Sequence, residues 1–81
     1  MATPVRLPKS GMGIEEGSVL RWLKTEGEWV MKGENLVEIE TAKAVQEVQA
    51  PVSGRLIKIL LERGQTAAVN TDIALIEEDS G

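Results

Sequence analysis

The residues in this chain best suited to covalent chemistry are a lysine and its two small neighbours, Ala42-Lys43-Ala44. On either side lie stretches that read as extended, Leu36-Val37-Glu38-Ile39-Glu40-Thr41 and Val45-Gln46-Glu47-Val48-Gln49-Ala50. If the two stretches pair as a hairpin, Lys43 projects from its tip. The chemistry open to such a residue is acylation, in which the neutral amine attacks an activated carboxyl group and forms an amide. An ordinary lysine amine titrates near ~10.4, so a modifying enzyme must help to remove the proton. Small Ala42 and Ala44 leave room for that enzyme. Taken alone the pattern is weak, because most turn lysines are simply solvated charges.

Other chemistries are excluded by composition. The 81 residues contain no Cys and no His. Disulfides, zinc fingers, thiol nucleophiles and a Ser-His-Asp triad are therefore unavailable. No D-x-[DN]-x-[DN]-G calcium loop occurs, so no metal site is expected. The pairs Glu15-Glu16 and Glu77-Glu78 have no sign of a cleft around them and make a poor general acid and base. No catalytic residue is expected in this domain. Thirteen acids against nine bases give a net charge of −4, with no basic patch interleaved with aromatics, which argues against nucleic-acid binding. No apolar run approaches the ~20 residues of a membrane span. The N-terminus lacks the charged and apolar regions of a signal peptide. The expected location is the cytoplasm, or the mitochondrial matrix in a eukaryote.

The elements that must position Lys43 are legible through an internal repeat. Shifting the sequence by 37 positions lays Gly17-Ser18-Val19-Leu20-Arg21-Trp22-Leu23-Lys24 on Gly54-Arg55-Leu56-Ile57-Lys58-Ile59-Leu60-Leu61. The same register puts Gly27 on Gly64, Leu36 on Ile73, Ile39 on Ile76 and Glu40 on Glu77. Upstream, Val5-Arg6-Leu7-Pro8 resembles Val48-Gln49-Ala50-Pro51, with six extra residues in the first copy before Gly17. Those extra residues fall within Lys9 to Glu16, whose glycines mark a surface loop. Each copy should hold about four short strands, since turn signals recur at close spacing. Val37-Glu38-Ile39-Glu40-Thr41 alternates as a half-buried strand does. Local pattern leaves an alternative open at Arg55–Arg63 and at Ser18–Glu26, where an amphipathic helix stopped by glycine fits nearly as well. Trp22 is expected in the core, because its repeat mate is Ile59. Trp29, whose mate is Thr66, is expected to be partly exposed. Glu38, Glu40 and Glu47 are expected to form a solvated acidic face that protects strand edges.

Several motifs together resemble a known family. Glu40-Thr41-Ala42-Lys43-Ala44 is similar to the E-T-D-K-A attachment motif of lipoyl domains. Leu7-Pro8 through Glu16-Gly17 resembles their opening L-P-x-x-G-x-x-x-x-E-G. The Gly17–Lys24 segment, Glu26-Gly27-Glu28, Lys32-Gly33-Glu34, Ala50-Pro51-Val52-Ser53-Gly54 and Gly64-Gln65-Thr66 through Ile76 follow in the family's order. The likeness runs from about Val5 to Glu77. It implies an all-β fold: a flattened barrel or sandwich of two four-stranded antiparallel sheets with quasi-twofold symmetry. The carrier domain is expected over residues 1–78, with 79–81 the start of a flexible linker.

The resemblance further implies a swinging-arm carrier with lipoate amide-linked to Lys43 and Glu40, Thr41, Ala42 and Ala44 as the flanking motif. Partner recognition maps onto the loop beside the lysine turn, at Gly11, Met12, Gly13, Ile14 and Glu15. The usual Asp before the lysine is Ala42 here, which removes a charge that would otherwise cap the turn. The implied setting is a dihydrolipoyl acyltransferase of a 2-oxo acid (or acetoin) dehydrogenase complex. The implied partners are a thiamine-diphosphate-dependent decarboxylase, the acyltransferase catalytic domain, dihydrolipoyl dehydrogenase and a lipoate ligase, with the isolated domain a monomer. The repeat adds that, since position 43 plus 37 is Ser80, a twofold relation puts both chain ends at the pole away from Lys43. Competing readings are a biotin carrier, which places Met on both sides of its lysine, an unmodified β-sandwich interaction module, and a glycine-cleavage carrier, for which the chain is short.

Overall fold

A computed structural model describes residues 2–9, 13 and 15–78. Eight strands occur in the order β1 (Ala2–Arg6), β2 (Glu16–Trp22), β3 (Trp29–Val30), β4 (Asn35–Glu40), β5 (Val45–Gln49), β6 (Gly54–Ile59), β7 (Thr66–Ala68) and β8 (Asp72–Glu78). They form two four-stranded antiparallel sheets, ordered β1-β8-β6-β3 and β5-β4-β2-β7. Both sheets keep open edges, so the molecule is a flattened sandwich and not a closed barrel. No helix occurs among the described residues. The helical alternative at Arg55–Arg63 and Ser18–Glu26 fails because β6 and β2 are central strands. Each finds backbone partners on both sides, β8 and β3 for β6, β4 and β7 for β2. A nine-residue helix would forgo those pairings and stand on marginal local stability.

The repeat read from sequence is a structural symmetry. Exchanging β1 with β5, β2 with β6, β3 with β7 and β4 with β8 turns one sheet order into the other. Register follows: Ser18 pairs with Glu40 and Val19 with Ile39, as Arg55 pairs with Glu77 and Leu56 with Ile76. Even the irregularities repeat. The register shift between Val19 and Arg21 has its mate between Leu56 and Lys58. A second shift, between Asn35 and Val37, lets consecutive Leu36 and Val37 both face inward and breaks the simple alternation of β4. Its mates Ile73 and Ala74 are likewise both buried. Neither repeat makes a sheet alone, since each sheet takes two strands from each copy.

The core lies between the sheets and is wholly apolar: Val5, Leu7, Val19, Val30, Leu36, Val37, Ile39, Val48, Ala50, Leu56, Ile73, Ala74 and Ile76. Trp22 is only half-buried, packing on this cluster while its indole Nε1 donates to the Leu61 carbonyl at 2.9 Å. Its repeat mate Ile59 is likewise half-buried against the same cluster, so both copies place this position at the rim of the core. Trp29 is 51% exposed, as expected for the mate of Thr66.

The edge strands β1 and β5 face one another across a groove lined by Pro4, Val5, Arg6 and Pro8 on one side and Glu47, Val48, Gln49 and Pro51 on the other. These are symmetry mates, so the pseudo-axis passes through the seam. Each strand runs toward the seam from its own pole. Val45, which follows the lysine turn, and Ala2, which pairs with Glu77, therefore lie at opposite poles.

Candidate functional site

The turn between β4 and β5 is short. Glu40 pairs with Val45, and the Thr41 N–H donates to the Ala44 carbonyl at 2.9 Å. Only Ala42 and Lys43 lie beyond that closure. Neither has a left-handed backbone; among described non-glycine residues that conformation occurs only at Asn70. The tip thus needs no glycine. Ala42, Lys43, Ala44 and Val45 are all exposed, and Thr41 is half-buried. Lys43 is therefore an exposed residue at the tip of a short hairpin, with only methyl side chains on the residues before and after it.

The Thr41 hydroxyl organises the tip. Its Oγ1 accepts from the Lys43 N–H and the Ala44 N–H, each at 3.3 Å, and donates to the Ala44 carbonyl at 3.0 Å. Threonine thereby caps the turn that an aspartate would otherwise cap, so Ala42 leaves the hairpin closed. By its place in the sequence Thr41 is only a motif neighbour of the lysine. The available signal was a hydroxyl residue opening a tight turn, where it bonds to backbone N–H groups further along.

Beside the tip lies an open groove of about 450 Å³, lined by Gly13, Glu15, Glu16, Gly17, Ser18, Glu40, Thr41, Ala42 and Thr66. The structure thus brings Gly13 and Glu15, from the loop singled out for partner recognition, against the flanking motif at Glu40–Ala42. Gly11, Met12 and Ile14 of that loop lie outside the described residues, as does the expected linker at 79–81. The groove floor is polar: Ser18 Oγ and Thr66 Oγ1 lie 2.6 Å apart. Its rim is acidic through Glu15, Glu16 and Glu40. Further along the same sheet Glu38 sits opposite Glu47, and Arg21 Nε meets Glu38 Oε1 at 3.0 Å, which offsets part of the like-charge contact. No cluster of acidic residues able to hold a metal ion occurs among the described residues.

Two pseudo-symmetric sheets that hold one lysine at the exposed tip of a hairpin define a covalent-carrier module. The chain belongs to the biotin/lipoyl family, described as "biotin-requiring enzyme", whose model matches residues 3–76, and within it to the lipoyl domains. The lipoyl domain of the 2-oxoglutarate dehydrogenase complex from Azotobacter vinelandii is similar with 31% identity and a TM-score of 0.70, over 93% of this chain and 99% of that one. The dihydrolipoyllysine-residue succinyltransferase component of the 2-oxoglutarate dehydrogenase complex of Bartonella vinsonii subsp. berkhoffii is 40% identical over 77 residues, which are 95% of this chain and 19% of that protein. The pyruvate dehydrogenase E1 component subunit beta of Rhizobium meliloti is 39% identical over 80 residues, 98% of this chain and 17% of that protein. The chain therefore spans less than a fifth of the length of these two curated relatives. Lipoyl domains are non-catalytic carriers that bind lipoate covalently on a lysine.

Proposed function

We propose that Lys43 is the amine to which lipoate is joined, and that the domain carries the arm between the active sites of a 2-oxo acid dehydrogenase complex. The observation that carries this reading is the exposed position of Lys43 at the tip of the β4–β5 hairpin, flanked by Ala42 and Ala44. The methyl side chains of Ala42 and Ala44 leave room for an amide beside them. When bound, lipoate supplies a dithiol/disulfide pair, which lets a chain without cysteine take part in acyl transfer and redox chemistry. The protein's own part is to keep the attachment point in solvent, at the pole away from Ala2 and Glu78. Tethering through that far pole raises the arm's effective concentration at each active site it can reach.

The partners follow from this role: a thiamine-diphosphate-dependent decarboxylase that loads the arm, an acyltransferase catalytic domain that unloads it, and dihydrolipoyl dehydrogenase that reoxidises it. The names of the relatives support the setting and differ in the oxo acid, 2-oxoglutarate in one and pyruvate in another. They also differ in the subunit that bears the module, so its attachment is separable from its carrier chemistry. A cytoplasmic or mitochondrial-matrix location fits these partners.

The test is intact mass after incubation with a lipoate ligase, ATP and lipoate. The 81-residue chain should gain one lipoyl group, mapped to Lys43, and Lys43→Arg should gain none. A biotinyl adduct formed by a biotin ligase in its place, or a lipoyl group on another lysine, would overturn the assignment.

A further inference from the structure

We propose that Thr41 is a positioning residue for the modification of Lys43: its hydroxyl fixes the backbone shape in which the amine is shown to the modifying enzyme. The proposal rests on Lys43 being the attachment point. Its grounds are the three bonds of one oxygen atom, which ties together the N–H of Lys43, the N–H of Ala44 and the carbonyl of Ala44.

The framework itself does not demand this hydroxyl. The symmetry mate of Thr41 is Glu78. At that pole β8 pairs with β1, and the carboxylate of Glu78 accepts from Thr3 Oγ1 at 3.3 Å. The same strand geometry is thus built without a side chain folded back on its own turn. The cap belongs to the lysine pole alone.

Composition of the tip gives the cap its importance. Ala42 and Ala44 offer an enzyme no side-chain hydrogen bond, so recognition close to the amine depends on backbone shape. Because the tip is solvent-exposed, water replaces the lost bonds when the hydroxyl is removed, and the fold keeps its stability. What is lost is a single conformation. A reacting amine held in several tip conformations spends less time in the near-attack geometry, and misplacement of about 1 Å is enough to slow an enzymatic step strongly.

The experiment compares wild type, Thr41→Val and Thr41→Ser as 81-residue chains. Valine keeps the branched shape and removes the hydroxyl; serine keeps the hydroxyl and removes the methyl. Initial rates of lipoylation by a lipoate ligase are read by intact mass. Thr41→Val should lose about tenfold in kcat/KM, the size of one or two net hydrogen bonds. Thr41→Ser should stay within about twofold of wild type. In Thr41→Val the Lys43 and Ala44 amides should exchange with solvent faster, while core amides and the melting temperature stay at wild-type values. A small succinimidyl ester, mapped by peptide mass, should acylate Lys43 at the same rate in all three chains, because neither substitution changes the lysine side chain. The proposal is overturned if Thr41→Val is lipoylated at the wild-type rate. It is equally overturned if enzymatic and uncatalysed acylation fall together, or if a folded Thr41→Ser is modified as poorly as Thr41→Val. A wild type that the ligase leaves unmodified defeats the underlying assignment of Lys43 as well, which separates the two failures.

Discussion

At one pole of the sandwich the chain turns from β4 into β5 through Ala42 and Lys43; at the symmetry-related pole β8 and β1 lie side by side without a turn between them. The strands that lead to the two poles share register, irregularities and core positions. Three differences lie at the lysine pole: the closed turn, the Thr41 cap, and the six extra residues between Pro8 and Gly17, whose Gly13 and Glu15 line the groove beside the tip. A duplicated framework thus builds both poles alike, and the site proposed for modification lies where local departures from symmetry occur. Sites built on paired strands are held more firmly than sites on long loops, which suits the attachment point proposed for Lys43.

Substitutions at symmetry mates test how deep the equivalence runs. The largest difference is expected at Gly17 and Gly54, where the central strands β2 and β6 pass close to their neighbours. A Cβ at Gly54 would meet the Glu77 carbonyl group, with its carbon at 2.9 Å, while one at Gly17 would meet chiefly the Ile39 side chain, its Cγ2 at 2.7 Å. Backbone yields less than a side-chain methyl. Gly54→Ala should cost about 2–4 kcal/mol and Gly17→Ala about 1–2 kcal/mol by urea denaturation. Equal costs would mean that the two approaches relax alike.

A smaller effect is expected where the copies use different residues for one backbone conformation. Gly33 (φ 89°) and Asn70 (φ 70°) are mates, and each N–H donates to the other copy's strand end, Gly33 to the Ala50 carbonyl and Asn70 to the Leu7 carbonyl. Asn70→Ala should cost about 1 kcal/mol, because alanine resists the left-handed region. Asn70→Gly should stay within about 0.5 kcal/mol, since glycine enters that region freely but loosens the unfolded chain. Melting curves of the two variants decide it.

The smallest effect belongs to an ion pair confined to the first copy. Lys24 Nζ lies 2.8 Å from Glu34 Oε2. The hydrogen bond from Lys24, then that from the Met31 N–H, holds the Glu34 carboxyl below its ordinary value of 4.5. The same pairing holds the Lys24 ammonium above its ordinary 10.5. The Glu34 contribution to stability is present above pH 4.5 and is lost as pH falls through its lowered value. The Lys24 contribution is present below pH 10.5 and is lost as pH rises through its raised value. Both groups are partly exposed at the surface, so the effect is slight and salt-sensitive. Lys24→Met should flatten the stability profile at both ends of the pH range, and more visibly at low salt.

Much of this was legible in the residues. Paired apolar and glycine positions at one constant offset disclosed the symmetry, because a core shared by two like copies must be filled twice in the same pattern. The small residues around Lys43 marked the turn. Helix and strand were not separable at Arg55–Arg63 from local pattern, since a short apolar run fits either period. The bulges beside Val19 and Leu56 left no readable mark, because they depend on how neighbouring strands are staggered. The indole hydrogen bond of Trp22 was hidden for a similar reason: its partner, the Leu61 carbonyl, is 39 residues away.

The sequence by itself determined that two similar units build one β framework and that a lysine stands between two extended segments, because periodicity and turn chemistry are properties of neighbours along the chain. Only the tertiary structure decided which strands share a sheet, where the strand registers shift, and that the Thr41 hydroxyl caps the tip. Those outcomes depend on pairing between distant segments and on where single atoms meet, and the order of residues does not record either.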